Sequence, residues 1–168
     1  MRLILVLGIL AAMVLGCGRF GAGSGPVSNS SANTNTSTTK VAKIVDLSQL
    51  VGKTVAEMNT ILGQGKVDST SATYDIPQGF IIASFSKDKK VDSLTFSLNS
   101  STADSTPIKG YQFAEELGQA TGLAISGTPT STTTYEDKYD EFMLNGKKCE
   151  LTVKKIAGSY RGARLYCP

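Results

Sequence analysis

The chain has 168 residues, contains no histidine, and carries 17 Lys and Arg against 14 Asp and Glu. Without histidine, Ser-His-Asp catalysis, Cys-His catalysis and histidine-containing metal sites are excluded. The formal net charge of +3 gives no strong field toward nucleic acid, so we expect no nucleic-acid partner, no metal and no cofactor.

The N-terminus has the pattern of a secretory signal peptide. Arg2 precedes an uncharged, mostly apolar run over residues 3–16. As a helix this run would be roughly 21 Å long, too short for a bilayer core of about 30 Å. A basic start, a short apolar core and small residues at its end predict a cleaved signal peptide over residues 1–16. The alternatives are an ordinary signal peptide with an incidental cysteine and a retained transmembrane helix.

The end of this run, Val14-Leu15-Gly16-Cys17, resembles the lipobox of bacterial lipoproteins. The resemblance implies cleavage after Gly16 and attachment of a diacylglycerol to the Cys17 sulfur, usually with acylation of the new amine. Two or more acyl chains make a stable anchor. We therefore expect a protein held to the cell membrane or outer membrane through Cys17, with its domain outside the cytoplasm.

The segment after the cysteine is rich in Gly, Ser, Asn and Thr, and it has almost nothing to bury. Its sequence contains GRFGAGSG and then SNSSANTNTSTTK, a composition that cannot offset the entropy lost on ordering. We interpret residues 17–40 as a flexible tether. Residues 41–168 remain for a single domain, a length that suits one hydrophobic core.

The first half of this domain reads as one helix followed by a three-stranded meander. Thr54 and Glu57 have the spacing of a capping box, and Gly63 is a natural residue for the helix end. A shorter helical turn over residues 46–50 precedes this helix. The predicted apolar face of the helix consists of Val55, Met58, Ile61 and Leu62. Alternating polar and apolar residues predict strands over residues 70–76, 81–85 and 93–98.

The second half repeats this outline. A helix is predicted over residues 110–121, and Asn145-Gly146 is a strong signal for a type I′ hairpin. Strands are predicted near residues 139–144, 148–153 and 161–167. The tripeptide Leu-Gly-Gln occurs at residues 62–64 and again at 117–119. We predict an α+β fold with two main helices packed on one face of an antiparallel sheet, and an origin in two helix-plus-three-strand repeats is one option.

The two remaining cysteines, Cys149 and Cys167, are centred on Gly158. In an exported protein they lie in an oxidising environment, where disulfides persist. If residues 157–159 form a three-residue hairpin loop, Cys149 lies directly opposite Cys167. The same register places apolar residues opposite each other on the cysteine face: Leu151 and Leu165, Val153 and Ala163. We predict a Cys149–Cys167 disulfide, with two free thiols or a redox pair as the alternative.

A family resemblance lies in the first half. It is carried by Gly-Lys-Thr-Val-Ala-Glu-Met at residues 52–58, Ile-Leu-Gly at 61–63 and Lys-Val-Asp-Ser-Leu at 90–94. Over about residues 47–98 the chain resembles the SmpA/OmlA (BamE-like) lipoproteins and the related fold of the beta-lactamase inhibitory protein. The resemblance implies a helix-plus-sheet module that works by binding other proteins.

Two charged stretches are candidate sites. Residues 136–141 hold four carboxylates, which suggests a calcium site or an acid/base pair for sugar cleavage, but the spacing of a calcium loop is absent and a solvated strand edge is the simpler interpretation. The last hairpin is basic, and it would contact anionic lipid head groups, peptidoglycan-type polymers or an acidic protein surface, unless it only protects a sheet edge. Its basic residues are Lys147, Lys148, Lys154, Lys155, Arg161 and Arg164.

The aromatic residues fall into two groups. Five phenylalanines are assigned to the core, because they lie on alternating or helical apolar faces: Phe80, Phe85, Phe96, Phe113 and Phe142. Tyrosines are favoured at binding surfaces. We predict a binding surface on one sheet face, consisting of Tyr139, Lys148, Arg164 and Tyr166.

These observations favour a non-catalytic cell-envelope lipoprotein that acts as a protein-binding, assembly or inhibitory module. Its partners would be the membrane, through the lipid on Cys17, and an envelope protein. The alternatives are a carboxylate-dependent envelope hydrolase, which requires two converging carboxylates, and a carrier of lipid or another solute.

Overall fold

The computed structural model describes residues 40–168. The predicted signal peptide, the predicted lipidation site Cys17 and the tether through residue 39 lie outside the described residues. The described chain begins with a 3₁₀ turn at Leu47–Gln49 and contains two helices, α1 (Val55–Leu62) and α2 (Ala114–Thr121). Its strands are β1 (Lys66–Val67), β2 (Ser71–Ile76), β3 (Gly79–Phe85), β4 (Val91–Leu98), β5 (Ser131–Thr132), β6 (Glu136–Leu144), β7 (Lys147–Ile156) and β8 (Ser159–Tyr166).

All eight strands belong to one antiparallel sheet in the order β1-β2-β3-β4-β8-β7-β6-β5. The two halves of the chain, each a helix followed by four strands, meet where β4 pairs with β8, from Ser93 opposite Tyr166 to Ser97 opposite Gly162. The edge strands β1 and β5 have only two residues each. Such short edge strands limit pairing with other chains.

The prediction of two main helices packed on one face of a sheet is wrong. Helices α1 and α2 have eight residues each, whereas the sheet has eight strands, so the sheet dominates the fold. The second helix is shorter than predicted because residue Tyr111 instead forms a β-bridge with Tyr160. The backbone amides of Gln112 and Phe113 then both donate to the Glu116 carboxylate at the helix start.

The start and the end of α1 agree with the prediction, but its apolar face does not. The Thr54 amide donates to Glu57 Oε2 (2.8 Å) and the Glu57 amide donates to Thr54 Oγ1 (3.4 Å), which completes the capping box. Gly63 ends the helix with a positive φ of 86°. Only Met58 of this helix is buried, and Ile61 is 48% exposed, because a helix of two turns presents little surface to the sheet.

The hydrophobic core lies on one face of the sheet. Tyr74, Leu94, Phe96, Leu151 and Leu165 are fully buried there, and side chains from outside the sheet complete the same cluster: Leu47, Leu50, Met58, Leu117, Leu123 and Ile125.

Two phenylalanines assigned to the core lie elsewhere. Phe113 is 54% exposed at the start of α2. Phe80 lies opposite Ser97 on the other face of the sheet and is only partly buried. Its neighbours Gly79 and Ile81 are buried, so the alternation of the strand places the Phe80 side chain on the face opposite the core.

The hairpin of β7 and β8 has the predicted register. Leu151 lies opposite Leu165 and Val153 opposite Ala163, and a disulfide joins Cys149 to Cys167 with an S–S distance of 2.04 Å. The loop itself is shorter than predicted, since Ile156 pairs with Ser159 across a two-residue turn. A register shift next to Lys154 absorbs the missing residue, which is why the pairing beyond it is unchanged.

The repeated tripeptide does not mark equivalent positions. Leu62 is the last residue of α1, whereas Leu117 lies in the middle of α2. The option of two helix-plus-three-strand repeats is not met either, because each half has four strands rather than three.

Candidate functional site

The face of the sheet opposite the core is open to solvent, and we call it the solvent face. Its side chains form rows across the strands, and the central row contains Thr73, Ile82, Thr95, Arg164, Thr152 and Lys138. The next row contains Ser71, Ser84, Ser93, Tyr166 and Glu150. In these two rows every side chain on β2 to β4 except Ile82 carries a hydroxyl, whereas the side chains on β6 to β8 are mainly charged or aromatic.

Three of the four predicted surface residues lie on the solvent face. Lys148, Arg164 and Tyr166 are exposed there, and Tyr166 is 37% exposed. The prediction for Tyr139 is wrong, because it lies opposite Leu151 on the core face and is only 9% exposed. Strand β6 turns Asp137 and Tyr139 inward together, so a tyrosine two residues from a buried position is itself buried.

A β-bulge in β6 shapes the solvent face. The register shifts between Tyr139 and Phe142, and next to this bulge lies a cleft of about 270 Å³. The cleft is lined by Lys138, Asp140, Glu150, Leu151, Thr152, Arg164 and Tyr166. It offers two cations, two carboxylates and an aromatic ring, a mixture suited to hydrogen bonding with a polar surface rather than to enclosing an apolar ligand.

Lys148 is engaged in an exposed ion pair. Its Nζ lies 2.7 Å from Glu141 Oε1. The hydrogen bond between them raises the pKa of Lys148 and lowers the pKa of Glu141. Because both groups are fully solvated, water and salt screen the pair and it adds little to stability.

On the core side of the sheet lies a largely buried polar cluster that the sequence does not predict. Asp137, assigned to a solvated edge, is buried and accepts hydrogen bonds from Lys155 Nζ (2.7 Å) and the Tyr160 hydroxyl (2.5 Å). The Lys155 Nζ also lies 5.2 Å from the centre of the Tyr160 ring. The alternation of β6 indicates this burial, because Asp137 lies two residues before the buried Tyr139 and its side chain therefore points to the same face of the sheet.

The pKa values of this cluster follow from its contacts. Burial tends to raise the pKa of Asp137, but the hydrogen bonds from Lys155 and Tyr160 outweigh it and the pKa is lowered. Burial, followed by the hydrogen bond to Asp137, raises the pKa of Tyr160 to about 12. At neutral pH Asp137 is therefore a charged carboxylate and Tyr160 a neutral phenol.

Three of the four carboxylates in residues 136–141, those of Glu136, Asp137 and Glu141, each form an ion pair with a lysine. Glu136 lies 3.2 Å from Lys138, and Glu141 lies 2.7 Å from Lys148. The pKa values of Asp137 and Glu141 are both lowered, whereas a general acid in sugar cleavage needs a raised pKa.

Residues 40–168 contain neither a cluster suited to a metal ion nor a helix suited to a membrane span. No group of three or more acidic or cysteine side chains in this part of the chain could hold a metal ion. No helix in the same range is long and apolar enough to cross a membrane.

Comparison with known proteins gives one remote structural likeness. No protein-family model matches the sequence, and no curated protein matches it. The crystal structure of a DUF4309 family protein (YjgB) from Bacillus subtilis aligns with 69% of this chain and 79% of its own length, at 14% sequence identity and a TM-score of 0.41. A likeness this remote carries no argument about function.

Proposed function

We propose that this protein is a non-catalytic, protein-binding module of the bacterial cell envelope, tethered through a lipid on Cys17. Its binding surface is the solvent face around Arg164 and Tyr166. The observation that carries the proposal is the position of these two side chains, which are exposed on the same face of β8 and line the cleft next to the β6 bulge.

Arginine and tyrosine are over-represented among the residues that dominate binding energy in protein interfaces. Arg164 forms no ion pair within the described residues, so its guanidinium is available to a carboxylate of another chain. The hydroxyl-rich rows on β2 to β4 extend the same surface without charge. The resemblance to SmpA/OmlA-like lipoproteins over residues 47–98 implies the same mode of action.

The experiment is crosslinking of the full-length protein in its native membranes. We expect a crosslinked complex that is lost in Arg164→Glu and in Tyr166→Ser. The matched control is Lys87→Glu, which reverses a charge on the exposed turn between β3 and β4, outside this surface. A complex that persists in both surface variants, or one that is equally lost in the control, contradicts the proposal.

The anchor is tested separately. Intact mass spectrometry of the membrane-extracted protein should show a chain that begins at Cys17 and carries acyl groups. Cys17→Ser should leave the precursor uncleaved and unacylated. An unacylated wild-type chain that retains residues 1–16 would exclude the lipid anchor but not the binding surface.

A further inference from the structure

A second concave region lies at the end of the sheet that carries the β7–β8 turn. Two adjoining depressions, of about 230 and about 550 Å³, share Leu98, Ile156 and Arg161 in their linings. They run from the start of β6, past the β7–β8 turn, to residues 98–110. We call this region the basic groove, and the side chains that define it are Lys109, Tyr135, Glu136, Lys154, Ile156 and Arg161.

The groove has an excess of positive charge, although Glu136 lies opposite Lys154 on the neighbouring strand. Its carboxylate, Glu136, is already paired with Lys138 at 3.2 Å. Lys155, which also lines the groove, is neutralised by Asp137 at 2.7 Å. Lys109 and Lys154 are exposed and form no ion pair within residues 40–168. Their positive charge therefore remains available to a ligand.

Arg161 adds a third charge and fixes the wall of the groove. Its guanidinium donates to the carbonyl oxygens of Ile108 (2.7 Å) and Asn99 (2.5 Å). Both acceptors are neutral, so the hydrogen bonds orient the side chain without cancelling its charge. A rigid cationic wall is preorganised for an anion, because little side-chain entropy is lost on binding.

The groove also exposes apolar surface. Tyr135 is 74% exposed and Ile156 is 63% exposed, and both line the smaller depression. Its floor includes Gly162, where a Cβ atom would lie 2.9 Å from the Phe96 carbonyl oxygen. An exposed aromatic ring and an exposed aliphatic side chain beside fixed cations suit peptide side chains that combine acidic and apolar groups.

The groove lies at the opposite end of the sheet from the point where the described chain joins the domain. Residues 44–48 join the domain at the other end of the sheet, where Asn145 Nδ2 donates to the Ser48 carbonyl oxygen (3.0 Å). Strand β7 has ten residues between that end and the groove, a length of about 30 Å. The described chain therefore enters the domain far from the groove.

We propose that the basic groove binds an acidic, extended segment of a partner protein. Carboxylates of the segment pair with Lys109, Lys154 and Arg161, and an apolar side chain packs against Tyr135 and Ile156. The inference rests on the protein-binding function proposed above, and it names the chemistry of the partner.

The test uses the full-length chain, purified in a neutral detergent, and a fluorescein-labelled peptide of alternating glutamate and leucine. We expect binding that weakens with added salt, because the charges are solvent-accessible. The glutamine–leucine peptide of equal length should not bind. The double variant Lys109→Glu/Lys154→Glu should weaken binding of the acidic peptide at least tenfold, and Tyr135→Ser/Ile156→Ser should weaken it with little change in salt dependence.

The matched control is Lys87→Glu/Lys90→Glu, which makes the same charge change at the exposed turn between β3 and β4 and should leave affinity unchanged. Thermal unfolding shows whether each variant folds. If a variant does not fold, the salt dependence of wild-type binding still tests whether charge drives the interaction. Equal binding of the glutamine peptide, or unchanged binding in Lys109→Glu/Lys154→Glu, overturns the proposal.

Two further measurements distinguish a protein segment from a lipid or a glycan, and the groove proposal from the proposed binding function of the solvent face. Phosphatidylglycerol nanodiscs or polygalacturonate that bind through Lys109 and Lys154, when the acidic peptide does not, would replace the protein segment by a lipid or a glycan. If the peptide fails to bind while the membrane crosslink still depends on Arg164, the groove assignment fails and the proposed function stands. If the peptide binds but the crosslink survives Arg164→Glu, the groove stands and the solvent face does not.

Discussion

The hydroxyls of Tyr74, which is in the core, and of Tyr160, which packs against it, have opposite surroundings. The Tyr160 hydroxyl donates to Asp137, whereas the Tyr74 hydroxyl is buried and has no hydrogen-bond partner among the described residues. A buried hydroxyl without a partner loses its hydration and gains nothing in return. The same chemical group is therefore favourable at one position and costly at the other.

Removal of each hydroxyl should have opposite effects on stability. We expect Tyr160→Phe to lower the free energy of unfolding by about 1.5–3 kcal/mol, because a hydrogen bond to a charged group is lost. Tyr74→Phe should leave stability unchanged or increase it, since only an unpaired hydroxyl is removed. Urea unfolding followed by circular dichroism measures both. Equal losses in the two variants would contradict this account.

The stability of the folded domain should depend on the protonation of Asp137. Its pKa in the folded state lies below the ordinary value of 3.8, so the ionised form stabilises the fold at neutral pH. This contribution is present above the unfolded-state pKa and is lost as the pH falls through the folded-state pKa.

Asp137→Asn tests this pH dependence. At neutral pH the variant should be less stable by about 3 kcal/mol, because Lys155, whose side chain is only 15% exposed, loses its counter-ion. The difference between wild type and variant should narrow as the pH falls below about 4. Urea midpoints measured across the acid range provide the test, and a difference that is constant with pH would exclude the ionised pair as its cause.

Residue patterns predicted some side-chain positions and not others. Arg164 and Tyr166 alternate with Leu165, so their exposure follows from period two. The alternation of β6 indicates that Asp137 faces inward, but it does not show what pairs with the carboxylate there, because Lys155 lies on β7 and Tyr160 on β8. Only the tertiary pairing brings the three side chains together, and a single-strand pattern contains no information about that pairing.

The disulfide links the two ends of the β7–β8 hairpin, whose strand β8 pairs with β4 of the first half. Cys149 and Cys167 are separated by 18 positions; Cys149 lies in β7 and Cys167 directly follows β8. In the chain-entropy model, closing a loop of this length stabilises the folded state by about 3 kcal/mol. The effect acts on the unfolded chain, so it does not require new contacts in the fold.

Reduction of the disulfide should therefore lower stability by about 3 kcal/mol. The double variant Cys149→Ser/Cys167→Ser should show a comparable loss, and its urea midpoint should not respond to reductant. The wild type in reductant should approach the variant. A wild-type midpoint that is unaffected by complete reduction, verified by thiol titration, would contradict the prediction.

Local signals predicted the strands and α1 better than the helical content or the loops. The capping box of Thr54 and Glu57 and the turn at Asn145 act within a few residues, and both occur where the sequence places them. The two-residue strands β1 and β5 carry too few residues for a pattern. The sequence predicts three residues in the turn at Ala157 and Gly158, whereas the structure has two. The cysteine spacing does not reveal the difference, because the bulge beside the turn leaves the register of the cysteines unchanged.

The two halves of the sheet are joined by the pairing of β4 with β8, which we call the seam. Strands β4 and β8 pair across it, with Phe96 opposite Ala163 and Leu94 opposite Leu165. No local pattern predicts this pairing, since it joins strands about seventy residues apart and both have the same alternation. All four of these side chains belong to one core cluster that includes residues of both halves.

A continuous core predicts that the two halves unfold together. Phe96→Ala, at a fully buried position of the seam, should lower the free energy of unfolding by about 3–5 kcal/mol. Native-state hydrogen exchange should show the same loss for amides of Ile81 in the first half and of Leu151 in the second, because both open only by global unfolding. Leu151→Ala, a matched cavity in the second half, should also reduce protection at both amides. If Phe96→Ala instead reduces protection only at Ile81, the halves are separate cooperative units, and the disulfide-linked half retains its fold without the seam.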